Sequence, residues 1–285
     1  MYIQWPNNLV EEIAYRRVVL FLGAGVSALA TNDLGEHPKT WGAFLSDAIA
    51  LLDHASPAEF DFINSMIAKE NYLLALQSIQ DKCDPGRYRH YLEKIFRRPN
   101  FKPSESHQKI KELDCKVVVT TNFDKIYDNL CNEHGYSVST YMTPRMIISN
   151  LKTTNNLIIK AHGSIDDIDN MVFTQSQYYQ ARTKYPNFYD VLRSLFLTNT
   201  VLFLGYSLSD PDINLVLETL TSVNTLGCPH YAVVKKGVPK ELKDYWLKSF
   251  NIACLEYGPN FDNLPENIES LLTEVLSYRA TKRIP

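Results

Sequence analysis

Four short segments of the 285-residue chain set small, polar or titratable residues directly after apolar runs. The first is Phe21-Leu22-Gly23-Ala24-Gly25-Val26-Ser27-Ala28. Gly23, Gly25 and Ala28 fit G-x-G-x-x-(G/A). In that pattern one glycine permits a tight turn, the next lets a pyrophosphate reach the backbone, and a small third residue lets a helix pack on a sheet. The same glycines also suit a turn with no ligand, and the acidic residue that holds the ribose in dinucleotide-binding dehydrogenases is missing. The second segment, Val119-Thr120-Thr121-Asn122-Phe123-Asp124, ends in polar groups. Asn122 and Asp124 suit ligand contacts at a strand end or, equally, a local turn and a helix cap. The third, Ile158-Ile159-Lys160-Ala161-His162-Gly163, presents a histidine able to act as a general base near neutral pH, or simply a structural one. In the fourth, Leu204-Gly205-Tyr206-Ser207-Leu208-Ser209-Asp210-Pro211-Asp212, Gly205 and Ser207 suit a ribose or phosphate. Asp210-Pro211 reads as an N-cap with proline at the first helical position.

These segments need elements to hold them. Val18–Leu22, Lys116–Thr120, Leu157–Ala161, Val201–Leu204, Tyr231–Val234 and Ile252–Leu255 are mostly apolar throughout, as strands covered on both faces are. Helix-compatible stretches alternate with them at Phe123–Glu133, Tyr189–Thr198, Asp212–Val223 and Ile268–Tyr278. The alternation predicts an α/β fold, a Rossmann-like parallel sheet with helices on both faces. All four polar segments then fall at carboxyl ends of strands, where an open sheet holds its ligand. Residues 23–115 exceed any ordinary crossover and contain four further helical patterns: Trp41–Leu52, Pro57–Lys69, Asn71–Lys82 and Tyr88–Phe96. The expectation is one domain over residues 1–285, with 30–112 as an inserted helical subdomain lying over the strand ends.

Composition narrows the class. With 45% hydrophobic and 21% charged residues the chain is an ordinary globular one, and a net charge of -3 gives no general pull toward nucleic acid. No apolar run approaches the roughly 18 residues a membrane span needs. Met1-Tyr2-Ile3-Gln4-Trp5-Pro6 lacks the basic and apolar regions of a secretory signal, so a cytoplasmic location is expected. The five cysteines (Cys83, Cys115, Cys131, Cys228, Cys254) are odd in number and form no C-x-x-C pair. Neither a disulfide framework nor a structural metal is expected.

Taken in order, Gly23-Ala24-Gly25-Val26-Ser27, Thr121-Asn122-Phe123-Asp124, Lys160-Ala161-His162-Gly163 and Gly205-Tyr206-Ser207 resemble the sirtuin-like NAD-consuming domains. The resemblance covers nearly the whole chain and implies NAD+ as substrate. It implies Gly23 in the tight turn, Ala24, Gly25 and Ser27 around the pyrophosphate, and Gly205 and Ser207 toward the adenosine. Asn122 would hydrogen-bond the nicotinamide ribose or the attacking water, and His162 would act as base on a ribose hydroxyl or that water. Asp124 would anchor its loop or touch the nicotinamide amide. Protein deacylases of that family follow the glycine turn with G-I-P-D-F-R and carry a four-cysteine zinc module. Here Ala28-Leu29-Ala30-Thr31-Asn32-Asp33-Leu34-Gly35 lacks the first, and no cysteine pair exists for the second.

The segment Phe173-Thr174-Gln175-Ser176-Gln177-Tyr178-Tyr179 looks like the bacterial defence-associated branch, whose members hydrolyse NAD+ and deplete it after phage infection. The expected activity is therefore NAD+ glycohydrolysis to nicotinamide and ADP-ribose. An NAD-dependent protein deacylase and a non-catalytic nucleotide-binding or assembly module are the alternatives. Most defence relatives join the domain to a sensor or effector in the same chain. The resemblance thus implies a homo-oligomer with a separate partner, such as a defence-system ATPase or nuclease-like sensor, or else an excised domain.

Overall fold

Alternation of side chains across a parallel sheet sets the architecture. The computed structural model describes residues 2–52, 55–132, 134–220 and 228–284. Its strands are β1 (Val18–Leu22), β2 (Val117–Thr120), β3 (Ser137–Thr140), β4 (Leu157–Lys160), β5 (Thr200–Leu204), β6 (His230–Lys235) and β7 (Ile252–Tyr257). They form one sheet in the order β3-β4-β2-β1-β5-β6-β7, every pairing parallel. Val19, Phe21, Val117, Val119, Ile159, Val201 and Phe203 enter one core, under helices Pro144–Leu151, Pro186–Thr198, Pro211–Leu220 and Lys240–Phe250. Their strand neighbours Val18, Leu20, Leu22, Val118, Ile158, Leu202 and Leu204 enter the other, under helices Asn7–Ala14, Glu105–Glu112, Ile126–Asn132 and Leu264–Lys282. Burial on both faces is why these strands read as unbroken apolar runs. The fold is the α/β, Rossmann-like one that the alternation of strands and helices predicts.

Three details differ from the expectation. β3 was not foreseen: Val138 is its one apolar residue, and it lies at the sheet edge, paired only with β4. The helix after β2 starts at Ile126 instead of Phe123, because Asp124 Oδ1 accepts the Ile126 N–H at 3.0 Å and holds the chain out of the helix until there. Glu133, and residues 221–223 of the stretch Asp212–Val223, lie outside the described residues. Thirdly, the long stretch between β1 and β2 divides between two layers. Helices Trp41–Ala48, Pro57–Ala68, Tyr72–Gln80 and Pro85–Phe96 share a third core with Phe123, Ile165, Ile168, Met171 and Phe173. Those five residues follow β2 and β4, so the helical cover rests on the carboxyl ends of these strands. Helix Glu105–Glu112, expected within the insertion, packs through Ile110 into the second sheet core against Leu264–Lys282.

The chain leaves β1 toward β2 on one side and leaves β5 toward β6 on the other. At such a reversal the loops part, and an open sheet forms its ligand crevice there.

Candidate active site

The loops after β1 and β5 meet at that reversal in backbone-to-backbone contact. Gly23 N–H donates to Leu204 O at 2.9 Å, and Gly25 N–H donates to Gly205 O at 2.8 Å. A side-chain carbon at Gly23 would lie 2.3 Å from Gly205 O, and one at Gly25 would lie 2.8 Å from Gly205 Cα. Gly205 itself has φ +60, and a Cβ there would sit 2.5 Å from Val26 N. These three positions therefore need glycine because two turns cross at contact distance, whatever binds beside them.

Asn122 is built into the same junction. Thr120 Oγ1 donates to Leu22 O at 2.8 Å and accepts the Asn122 N–H at 3.1 Å, which fixes the turn at the end of β2. Asn122 Nδ2 donates to Gly23 O and to Ser27 Oγ, both at 2.9 Å. Ser27 Oγ in turn donates to Asp124 Oδ2 at 2.6 Å. Both N–H groups of the Asn122 amide are thus committed, and its Oδ1 has no partner among the described residues. What Asn122 offers a ligand is an acceptor, the polarity that orients a hydroxyl or a water. A cavity of about 10 Å³, room for one water, borders Ser27, Asn122, Asp124, His107 and Lys160.

Lys160 anchors this loop from below. Its ammonium, 1% exposed, donates to the Asp124 carbonyl and lies 2.9 Å from Asp128 Oδ2. Burial pushes the Asp128 carboxyl up, and the Lys160 charge opposes that shift. Ile165 N–H donates to Phe123 O at 3.0 Å, joining the loop after β4 to the loop after β2. Above this junction Phe173 stacks on Phe123 with ring centroids 3.9 Å apart, and Trp41, Phe44 and Phe96 pack around Phe173.

His162 follows β4 and is 4% exposed. Its Nδ1 lies 3.3 Å from the Tyr178 hydroxyl, which donates to Asp210 Oδ2 at 2.7 Å. Its Nε2 faces the same carboxylate oxygen at 3.4 Å without closing a hydrogen bond. Asp210 Oδ1 accepts the N–H groups of Asp212 and Ile213, at 3.0 and 3.1 Å, and so caps helix Pro211–Leu220 as its sequence context indicates. Ser207 is exposed and its hydroxyl pairs with that of Ser209.

Residues 116–255 match the profile of the SIR2-like domain family. That stretch is similar to a SIR2-like domain. It is 25% identical over 229 residues to "Defense-associated sirtuin 2" of Bacillus subtilis, covering 76% of this chain and 21% of that protein. To "NAD(+) hydrolase ThsA" of Enterococcus faecium it is 25% identical over 242 residues, covering 82% of this chain and 46% of that one. The chain thus spans less than half the length of either relative. A solved structure described as concerning the mechanism and regulation of Sir2 enzymes aligns over 96% of this chain and 97% of its own at 14% identity, TM-score 0.49.

Of the residues singled out in the sequence, the fold brings Gly23, Ala24, Gly25, Ser27, Asn122, Asp124 and Gly205 into one junction. His162 stands in a second knot, with Tyr178 and Asp210. Lys160, Asp128 and Tyr178 were not assigned roles in the sequence, and only the fold reveals their partners. Among the described residues no helix is long and apolar enough to cross a membrane. Among them, no group of three or more His, Cys, Asp or Glu is placed to hold a metal ion.

Proposed function

We propose that this chain hydrolyses NAD+ to nicotinamide and ADP-ribose, as an NAD-depleting effector of anti-phage defence. The observation that carries the reading is the Asn122 amide. Both its N–H groups are tied to the first glycine turn and its oxygen is left to accept from a water or a ribose hydroxyl, at the reversal point of a parallel sheet. Matches to proteins named NAD(+) hydrolase support the choice of substrate.

In the reaction the bond from the anomeric carbon to the nicotinamide nitrogen breaks and its electron pair stays on nicotinamide, which leaves neutral. A water oxygen bonds to that carbon, and its proton passes to His162 and then to solvent. Asn122 Oδ1 orients the water, a gain in positioning that lowers the barrier without tightening ground-state binding. Gly23, Ala24 and Gly25 line the pyrophosphate side, Gly205 and Ser207 the adenosine side, and Asp124 anchors the loop that carries Asn122. Because His162 is 4% exposed, the nucleotide reaches its ring once Tyr178 or the turn after β5 moves aside. Such a step gives a trigger something to act on. A second copy of the chain and a separate sensor, ATPase-like or nuclease-like, are the partners this role calls for, in the cytoplasm.

The test is nicotinamide release from NAD+ by the chain, alone and with neighbouring gene products, beside Asn122→Ala and His162→Ala. Each variant is expected to lose at least about 100-fold in turnover, with NAD+ affinity changed far less. Full turnover by either variant would overturn the assignment. Nicotinamide release only with an acylated peptide would make the chain a deacylase. Binding without release in every mixture would make it a non-catalytic module.

A further inference from the structure

A buried histidine that takes up a proton needs a counter-charge, because burial opposes the imidazolium. We infer that Asp210 is the positioning residue of this site: its carboxylate holds the His162 ring, fixes the proton on Nε2 and offsets the positive charge that His162 gains. The inference rests on the hydrolase reading above and extends it to a residue whose sequence context indicates only a helix cap.

Four observations converge on Asp210. Its Oδ2 lies 3.4 Å from His162 Nε2, and that nitrogen is buried with no hydrogen-bond partner. The two side chains are 10% and 5% exposed, so water does not screen the pair strongly. The carboxylate cannot swing away freely, since Oδ1 accepts two N–H groups of helix Pro211–Leu220 while Oδ2 accepts the Tyr178 hydroxyl at 2.7 Å. The neighbouring carboxylate is not a competitor: Asp212 accepts the Tyr189 hydroxyl on one oxygen and lies 3.2 Å from Arg182 Nε on the other. The titratable and charged groups facing the ring are therefore Tyr178 and Asp210, with Asp212 behind them and neutralised by Arg182.

The geometry has a chemical consequence. A carboxylate facing Nε2 favours the tautomer with its proton there, leaving Nδ1, which the Tyr178 oxygen faces at 3.3 Å, to accept a proton once Tyr178 moves aside. A shift of a few tenths of an ångström closes the Nε2–H to Oδ2 bond, and such tightening on substrate binding is common in catalytic pairs. Tyr178 donates to the same oxygen, Oδ2, and so helps to hold the carboxylate against the ring.

Asp210→Asn separates the cap from the charge, because asparagine caps a helix about as well as aspartate. The expected result is a kcat for nicotinamide release lowered about 100-fold or more, an NAD+ Kd within about threefold and an unchanged melting temperature. In protein labelled with 15N-histidine, with His162 assigned by His162→Gln, the wild type should show the Nε2–H tautomer and Asp210→Asn the Nδ1–H one. Asp210→Glu should restore part of kcat and the wild-type tautomer. An Nδ1–H tautomer in the wild type, or wild-type kcat in Asp210→Asn, would overturn the inference. The tautomer is read without turnover, so it decides the contact even if NAD+ hydrolysis itself were refuted, and it does so on the wild-type protein if Asp210→Asn fails to fold.

Discussion

Ser27 donates to Asp124 and accepts from Asn122, so its hydroxyl has no hydrogen left for a phosphate oxygen. The resemblance to sirtuin-like domains implies a place for it around the pyrophosphate; the hydrogen bonds make it a brace between two loops. The distinction can be measured. Ser27→Ala should leave NAD+ affinity within about twofold and lower kcat about tenfold by freeing Asn122, with a stability loss of about 1 kcal/mol from the lost bonds. Titration calorimetry beside nicotinamide release checks it, and a large rise in Kd with unchanged kcat would return Ser27 to the phosphate. At this scale the sequence was legible where chemistry is local: Asn122, His162 and the glycines announce themselves by type and by following apolar runs. It was silent where a role depends on a partner far along the chain. Asp210 looks like a cap from its neighbours and gains a second role only because Tyr178 and His162 converge on it. Lys160 looks like the polar end of a strand until Asp128 meets it in the interior.

Elements explain which of those residues can vary. The turns after β1 and β5 cross so closely that Gly205 supplies both a positive φ and an empty space against Val26 N. Gly205→Ala should therefore destabilise by about 2–4 kcal/mol, combining left-handed backbone strain with a backbone clash. Urea unfolding reads this directly, and a loss under about 1 kcal/mol would mean the crossing relaxes easily. The strands were legible because sheet burial on both faces leaves unbroken apolar runs, and six of the seven were expected. β3 was not, since an edge strand of Ser137, Val138, Ser139 and Thr140 carries no such run. The helices of the cover were also expected, from proline punctuation and apolar spacing. Where the cover stops was not, because Glu105–Glu112 is as amphipathic as its predecessors and only its docking on the last helix assigns it to the other layer.

For the molecule as a whole, two interior histidines set an acid limit. Burial holds His107 and His230 at about 4, below the ordinary 6.5. Between those values the unfolded chain binds protons that the folded one does not, so stability is present above pH 6.5 and is lost as pH falls toward 4. The loss is at most about 3 kcal/mol for each histidine. Urea midpoints measured from pH 7.5 to 4.5 should fall accordingly. His230→Gln, whose native Nδ1 accepts the Val201 N–H at 3.1 Å, should flatten the slope by one proton. A flat profile in the wild type would show that burial does not hold either ring neutral in the folded state. The order of the sheet adds a limit of a different kind, in time. β1 is central, yet Val19 pairs with Val117 and with Val201, both far downstream. At translation rates of about 5–20 residues per second, Val-Val-Leu-Phe-Leu leaves the ribosome roughly 10–40 s before β5 exists to flank it. An apolar strand with an edge left open is what chaperones hold and what aggregates seed on. The yield of folded protein should therefore follow the speed of synthesis and the supply of chaperones as much as it follows stability.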